Sequence, residues 1–169
     1  EMRLQTNKIM DLEGDLHRDI KNNGFALHYQ PIVSLGSKNI LRMEALVRWI
    51  HPTKGLIPPG DFIPQAEQTG LILKIGEFVL HRACMDCKKW QKEGFPNLGV
   101  AINFSPLQFH HANLPALIRD VLNATHLGPE FLEVEITEGV AMKNIEFTIN
   151  TLRKLKSMKV MVSIDDFGT

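Results

Sequence analysis

Alternation of apolar and polar side chains marks several short stretches of this chain. From Leu41 to Trp49 every odd position is apolar, whereas the even positions include Arg42, Glu44 and Arg48. Successive side chains of a strand point to opposite faces, so this stretch predicts a strand with one greasy face and one charged face. The split recurs further on. Val100, Ile102 and Phe104 oppose Ala101, Asn103 and Ser105, and Leu132, Val134 and Ile136 oppose Glu133, Glu135 and Thr137. Likewise Val160, Val162 and Ile164 oppose Met161, Ser163 and Asp165. Strands are expected over Phe25–Val33, Ile40–Trp49, Leu98–Phe104, Phe131–Ile136 and Val160–Ile164.

Helical spacing fills the intervals between the later strands. Leu71–Glu93 carries Ile75, Val79, Ala83 and Trp90 on one side and stops at Gly94. Asn113 is positioned to cap a helix bearing Leu114, Leu117, Ile118, Val121 and Leu122, and Asp61 to cap a shorter one. Asn144–Lys159 repeats the pattern with Ile145, Ile149, Leu152 and Leu155. At the start, Leu4, Ile9, Leu12, Leu16 and Ile20 predict a lead-in helix over residues 1–22, ended by Asn22-Asn23-Gly24. Strand, helix, strand, helix argues for a parallel α/β fold. An open doubly wound sheet buries both faces and has no place for a polar row. A TIM-like (β/α) barrel does, because its polar residues converge at the C-terminal ends of the strands.

Composition narrows the class. With 44% hydrophobic and 22% charged residues the chain is ordinary globular material. Lys+Arg and Asp+Glu both number 19, a formal net charge of +0. That balance argues against polymeric nucleic acid and membrane-surface partners, which need a basic excess. No apolar run is long enough to span a membrane, and a cytoplasmic setting is expected. Cys84 and Cys87 form a single C-x-x-C, too few donors for a zinc site and better read as small half-buried thiols on a helix in a reducing compartment.

The polar row supplies the candidate chemistry. Asn103, Glu135 and Asp165, with Asp166 at the strand end and Glu44 from an earlier strand, form an all-oxygen donor set. Converging carboxylates repel one another unless cations neutralise them, which points to a hard divalent ion, Mg²⁺ or Mn²⁺. The pair Asp165-Asp166 can divide between two ions, an arrangement suited to phosphodiester hydrolysis, with Arg48 holding a phosphate oxygen. The same acids paired with Arg42 and Arg48, with no ligand, form the other reading of this spacing. His110-His111 reads as a solvated loop, His28 as a satisfied wall residue and His51-Pro52 as a turn that stops the second strand.

Several segments then line up in order. Leu27-His28-Tyr29-Gln30-Pro31-Ile32 resembles a YQPI strand, and Glu44-Ala45-Leu46-Val47-Arg48-Trp49 resembles the signature EAL-x-R-W. Asn103-Phe104-Ser105, Glu135-Ile136-Thr137-Glu138 and Asp165-Asp166-Phe167-Gly168-Thr169 resemble N-x-S, E-[IL]-T-E and DDFGTG. By these motifs the chain resembles the EAL family of cyclic di-GMP phosphodiesterases. The resemblance implies hydrolysis of cyclic di-GMP to linear pGpG with two ions, Mg²⁺ or Mn²⁺. It makes Glu44, Asn103, Glu135, Asp165 and Asp166 the metal ligands, with Glu44, Asp165 and Asp166 catalytic. Gln30, Leu46 and Arg48 become contacts of the cyclic dinucleotide. Glu138 resembles a glutamate that steadies the loop after Asp166 and couples metal occupancy to a homodimer.

Residues 23–169 would be the first two-thirds of such a domain, since family barrels have eight strands in about 250 residues and five are legible here. The family's later lysine, general-base glutamate and glutamine have no counterpart in the sequence. A longer parent protein with an upstream sensory or GGDEF-type domain is therefore expected, and membrane attachment through other domains fits that picture. A non-catalytic cyclic di-GMP receptor and an inactive fragment are the alternatives.

Overall fold

The computed structural model describes residues 13–139 and 144–165, with Asp165 described by its backbone alone. The chain enters through a helix at residues 13–21 (α1). A hairpin follows, β1 (Phe25–Val33) and β2 (Ile40–His51), then the short β3 (Gly55–Ile57) and helices α2 (Pro59–Gln68) and α3 (Ile72–Lys92). Next come β4 (Gly99–Asn103), the single turn α4 (Pro106–Phe109) and α5 (Leu114–Thr125). A 3-10 turn (Pro129–Phe131) leads into β5 (Leu132–Thr137), and α6 (Ile145–Ser157) into β6 (Met161–Asp165). Of the expected lead-in helix, Leu4, Ile9 and Leu12 lie outside the described residues.

The strands form one sheet in the order β1-β2-β4-β5-β6, with β3 paired to β2. From β2 onward the path is parallel, as the strand–helix alternation predicts. The first pair departs from it: β1 runs antiparallel to β2. The cause is the connection, a tight turn in which Ser34 N donates to Asn39 O at 2.9 Å and Lys38 takes a φ of 56°. A link that short permits only a hairpin, whereas a parallel neighbour needs a helix-length crossover. The added strand β3 is three residues long, too short to display alternation.

The apolar set of each strand forms the core. Val100, Ile102, Leu132, Val134 and Ile136 are buried against α3 and α5. Phe25, Trp49 and Phe62 meet with ring centroids 5.7 to 6.1 Å apart, closing the space between the hairpin and α2. Cys84 and Cys87 are free thiols on a helix, α3, as expected, but fully buried rather than half-buried. Burial makes them weaker acids, pushing the pKa of Cys84 up to about 12 and that of Cys87 to about 11.

Three helix assignments change. Asn113 makes no cap hydrogen bond, and Asp61 sits inside the first turn of α2, whose N-cap is Pro58. There its carboxylate favours the positive helix end rather than capping it. In α6 the buried face is Thr148, Thr151 and Leu155, while Ile145 and Ile149 are exposed.

Candidate active site

The polar row faces away from the helices, and the parallel register brings its members together. Glu44 on β2 is level with Gln30 on β1 and with Ala101 on β4. Asn103, one pleat further along β4, is level with Glu135 on β5, which is in turn level with Ser163 on β6. Asn103 Nδ2 donates to Glu44 Oε1 at 2.8 Å. Adjacent strands lie about 4.8 Å apart, so Glu44, Asn103 and Glu135, on the three consecutive strands β2, β4 and β5, form one group. Asp165 is level with Thr137 through its backbone, which sets it one pleat beyond Ser163. Its side chain and the whole of Asp166 lie outside the described residues.

Arginine pairing falls below this group rather than within it. Arg42 Nε lies 2.7 Å from Glu133 Oε2, and Arg42 also contacts the sulfur of Met161. Glycine at position 99 makes the crossing possible, because a Cβ there would stand 2.9 Å from Phe131 O and 3.1 Å from Arg42 Cγ. Glu44 therefore accepts from Asn103 and not from Arg42. Arg48 turns its Nη1 to Val47 O at 2.9 Å. It lies two pleats beyond Glu44, and the structure does not bring the two together.

The opposite face of β1 is fixed to α3. Tyr29, next to Gln30, donates its hydroxyl to Asp86 Oδ2 at 2.7 Å and meets Trp90 edge-on at 4.6 Å. Burial, with the Asp86 carboxylate beside it, pushes the phenol far above its usual acidity range. Gln30 thus sits on an anchored strand with its own side chain exposed.

A cavity of about 380 Å³ opens beside the strand ends. Leu46, Asn103, Glu135 and Thr137 line it from the sheet, Ile63 and Glu67 from α2, and Gln108 from α4. Leu46 is among the lining residues, and Glu138 follows directly on β5. Sequence reasoning missed Ser105 and Gln108. Ser105 Oγ accepts from Gln108 N at 3.4 Å, and Gln108 Oε1 accepts from Ser105 N at 2.9 Å, a reciprocal cap on α4. The signal was present as Ser-x-x-Gln ahead of an apolar residue.

Among the described residues no cluster of three or more His, Cys, Asp and Glu closes on a single point. The donors that do meet, a carboxylate and an amide with a second carboxylate on the next strand, have the hard-oxygen chemistry of Mg²⁺ and Mn²⁺ sites. A half-turn of the Asn103 amide would present Oδ1 in place of Nδ2, so the pair now hydrogen-bonded can offer two oxygens to one cation.

Two further histidine readings are resolved. His111 is exposed outside any helix or strand, in keeping with a solvated loop, whereas His110, half-buried in the turn after α4, has Nδ1 2.9 Å from Pro106 O, Nε2 3.4 Å from Thr148 Oγ1 and its ring on Phe147. His28 is an exposed position on β1 and not a satisfied wall residue.

A family model described as the EAL domain matches residues 13–169. The chain is 41% identical over 168 residues to the bifunctional diguanylate cyclase/cyclic di-GMP phosphodiesterase MucR of Pseudomonas aeruginosa, covering 99% of this chain and 24% of MucR. It is 38% identical to the cyclic di-GMP phosphodiesterase NbdA of the same organism, covering 100% of this chain and 22% of NbdA. The chain thus spans about a quarter or less of the length of these relatives. Among solved structures it superposes on the PaMucR phosphodiesterase in complex with c-di-GMP with a TM-score of 0.91 at 43% identity, covering 94% of this chain and 64% of that one. The cAMP- and cyclic-di-GMP-bound form of the EAL enzyme Bd1971 matches with a TM-score of 0.90 at 30% identity, over 98% of this chain and 46% of that one.

Proposed function

Because the chain belongs to the EAL domain family, whose structures share its TIM-like architecture, we propose that its complete protein hydrolyses cyclic di-GMP to linear pGpG. The observation that carries this reading is the contact of Asn103 with Glu44, with Glu135 level with Asn103 on the next strand, at the edge of a cavity. Glu44, Asn103 and Glu135, with Asp165 and Asp166, would hold two divalent ions, Mg²⁺ or Mn²⁺. When bound, such ions would supply Lewis-acid neutralisation of phosphate charge and lower the pKa of water towards neutrality.

The chain's own residues bind and orient. Gln30, exposed beside Glu44, offers an amide donor and acceptor to the dinucleotide. Leu46 provides an apolar wall in the cavity. Arg48 exchanges its hydrogen bond to Val47 O for a phosphate oxygen, a trade that a charged acceptor favours. Glu138 holds the loop that carries Asp166 and relays metal occupancy to a homodimer contact. None of these residues is assigned the role of base towards the attacking water. A cytoplasmic setting and an N-terminal sensory or GGDEF-type domain complete the reading. No helix among the described residues is long and apolar enough to cross a membrane.

The test is chromatography of the complete protein's products from cyclic di-GMP with Mn²⁺, beside titration of ligand in Ca²⁺, which fills such sites with little turnover. Linear pGpG from the wild type, and loss of about 100-fold or more in the folded Glu44→Gln variant, are expected. Tight binding without product would identify a receptor, and wild-type turnover by Glu44→Gln would remove Glu44 from the site.

A further inference from the structure

Glu44 and Asn103 are held very differently. Glu44 lies mid-strand, bracketed by β1 and β4. Asn103 is the last residue of β4, exposed on the polar face, and the chain leaves the sheet directly after it. Phe104 N still donates to Glu135 O at 2.9 Å, and then Ser105 opens the single turn of α4. What keeps that exit in place is Gln108. Its side chain closes the reciprocal cap with Ser105, two residues beyond Asn103, and is only 7% exposed.

Gln108 owes its position to a missing side chain on another helix. A Cβ built on Gly76, in the interior of α3, would stand 1.7 Å from Gln108 Nε2 and 3.0 Å from its Cδ. A helix interior disfavours glycine relative to alanine. Position 76 therefore exchanges local helix stability for a notch that admits the glutamine amide. Phe109, fully buried, fixes the other end of the turn. An uninterrupted set of contacts runs from α3 through Gln108 and the Ser105 cap to the strand end that bears Asn103 and so to Glu44.

We propose that Gln108, seated in the Gly76 notch, is a positioning residue that holds Asn103 ready to act as an oxygen ligand beside Glu44. The inference rests on the metal site assigned under Proposed function, but its readout is metal binding rather than turnover. In the complete protein, Mn²⁺ affinity is measured from the loss of the free-ion electron paramagnetic resonance signal, and thermal unfolding is followed in parallel. Gln108→Ala weakens Mn²⁺ binding by about tenfold, the scale on which partners that orient metal ligands act. Gln108→Glu keeps the Ser-x-x-Glu form of the cap and restores affinity to within about twofold of wild type, a rescue that a merely space-filling role does not predict. Gly76→Ala, which touches no candidate ligand, weakens Mn²⁺ binding in the same direction by displacing the amide.

The double variant Gly76→Ala/Gln108→Ala is no weaker than Gln108→Ala, because both changes act through one side chain. Wild-type Mn²⁺ affinity in folded Gln108→Ala, or additive losses in the double variant, overturns the proposal. If the wild type binds Mn²⁺ and forms no pGpG, the hydrolytic reading fails while the positioning role is still decided by the resonance data. A wild type that binds no Mn²⁺ overturns both.

Discussion

Trp49 Nε1 donates to Asp19 Oδ2 at 3.0 Å, and both residues are buried. The bond joins helix α1 to the strand that carries Glu44. Arg18 Nε holds the other carboxylate oxygen at 3.0 Å, so Asp19 is satisfied on both sides. Asp19→Ala leaves a buried indole N–H without an acceptor and is expected to cost about 1–3 kcal/mol in chemical denaturation of the complete protein. Trp49→Phe in that background removes the orphaned donor, so its added cost is smaller than in the wild type. Equal costs in the two backgrounds would show that the bond contributes nothing.

Asp15 gives the acid limb of the stability profile. His51 Nε2 lies 2.9 Å from its carboxylate, with Lys54 at 3.2 Å and Arg18 at 2.8 Å. The hydrogen bond from His51, followed by those from Lys54 and Arg18, holds its acidity constant at about 2 against an ordinary 3.8. A depressed folded value means that the contribution is whole above pH 3.8 and fades as pH falls towards 2. Unfolding midpoints measured between those limits should fall more steeply for wild type than for Asp15→Asn. Parallel curves would contradict the assignment.

At the alkaline end the buried thiols act. Cys84 and Cys87 are raised to about 12 and about 11 from 9.0, so the folded state keeps protons that the unfolded chain releases. Stability is therefore whole below pH 9 and declines as pH rises towards those values. At pH 8 both thiols should react with a disulfide reagent only as fast as the protein opens, and at once in denaturant. Rapid labelling of the native protein would place them at the surface.

Gly99→Ala tests the crossing of Arg42. The new methyl would press on Phe131 O and Arg42 Cγ, and overpacking of this kind costs about 1–3 kcal/mol. Arg42→Ala alone would lose the pair with Glu133 instead. The double variant should recover part of the glycine penalty, which thermal unfolding of all three would reveal.

The strands that carry the site were legible because apolar residues recur on one face, where Ala45, Ile102 and Val134 are buried, although Ala101 on the other face is buried as well. Alternation could not reveal β3, whose Gly55-Leu56-Ile57 is too short for a period to show. Nor does it encode strand direction; the reversal of β1 follows from a tight turn at Ser34–Asn39. Helix caps were less readable. Asn113 has a capping side chain but φ and ψ of −90° and 0°, outside the extended geometry that aims such a side chain at the helix amides. The buried face of α6 was misassigned because Thr148 and Thr151, whose methyl groups pack well, were counted as polar. Alternation puts Glu44, Asn103 and Glu135 on one face, where Asn103 bonds Glu44 and is level with Glu135, yet it does not point to Gln108. Its role comes from a contact with Gly76 across 32 positions, a relationship that no local pattern carries.

Trp49 and Glu44 belong to one unbroken strand, five positions apart, which at about 3.3 Å per residue is a rod of about 17 Å. Helix α1 grips one end of that rod and the acidic centre rests on the other. No loop lies between them, so the helix and the acidic centre are joined through strand backbone alone.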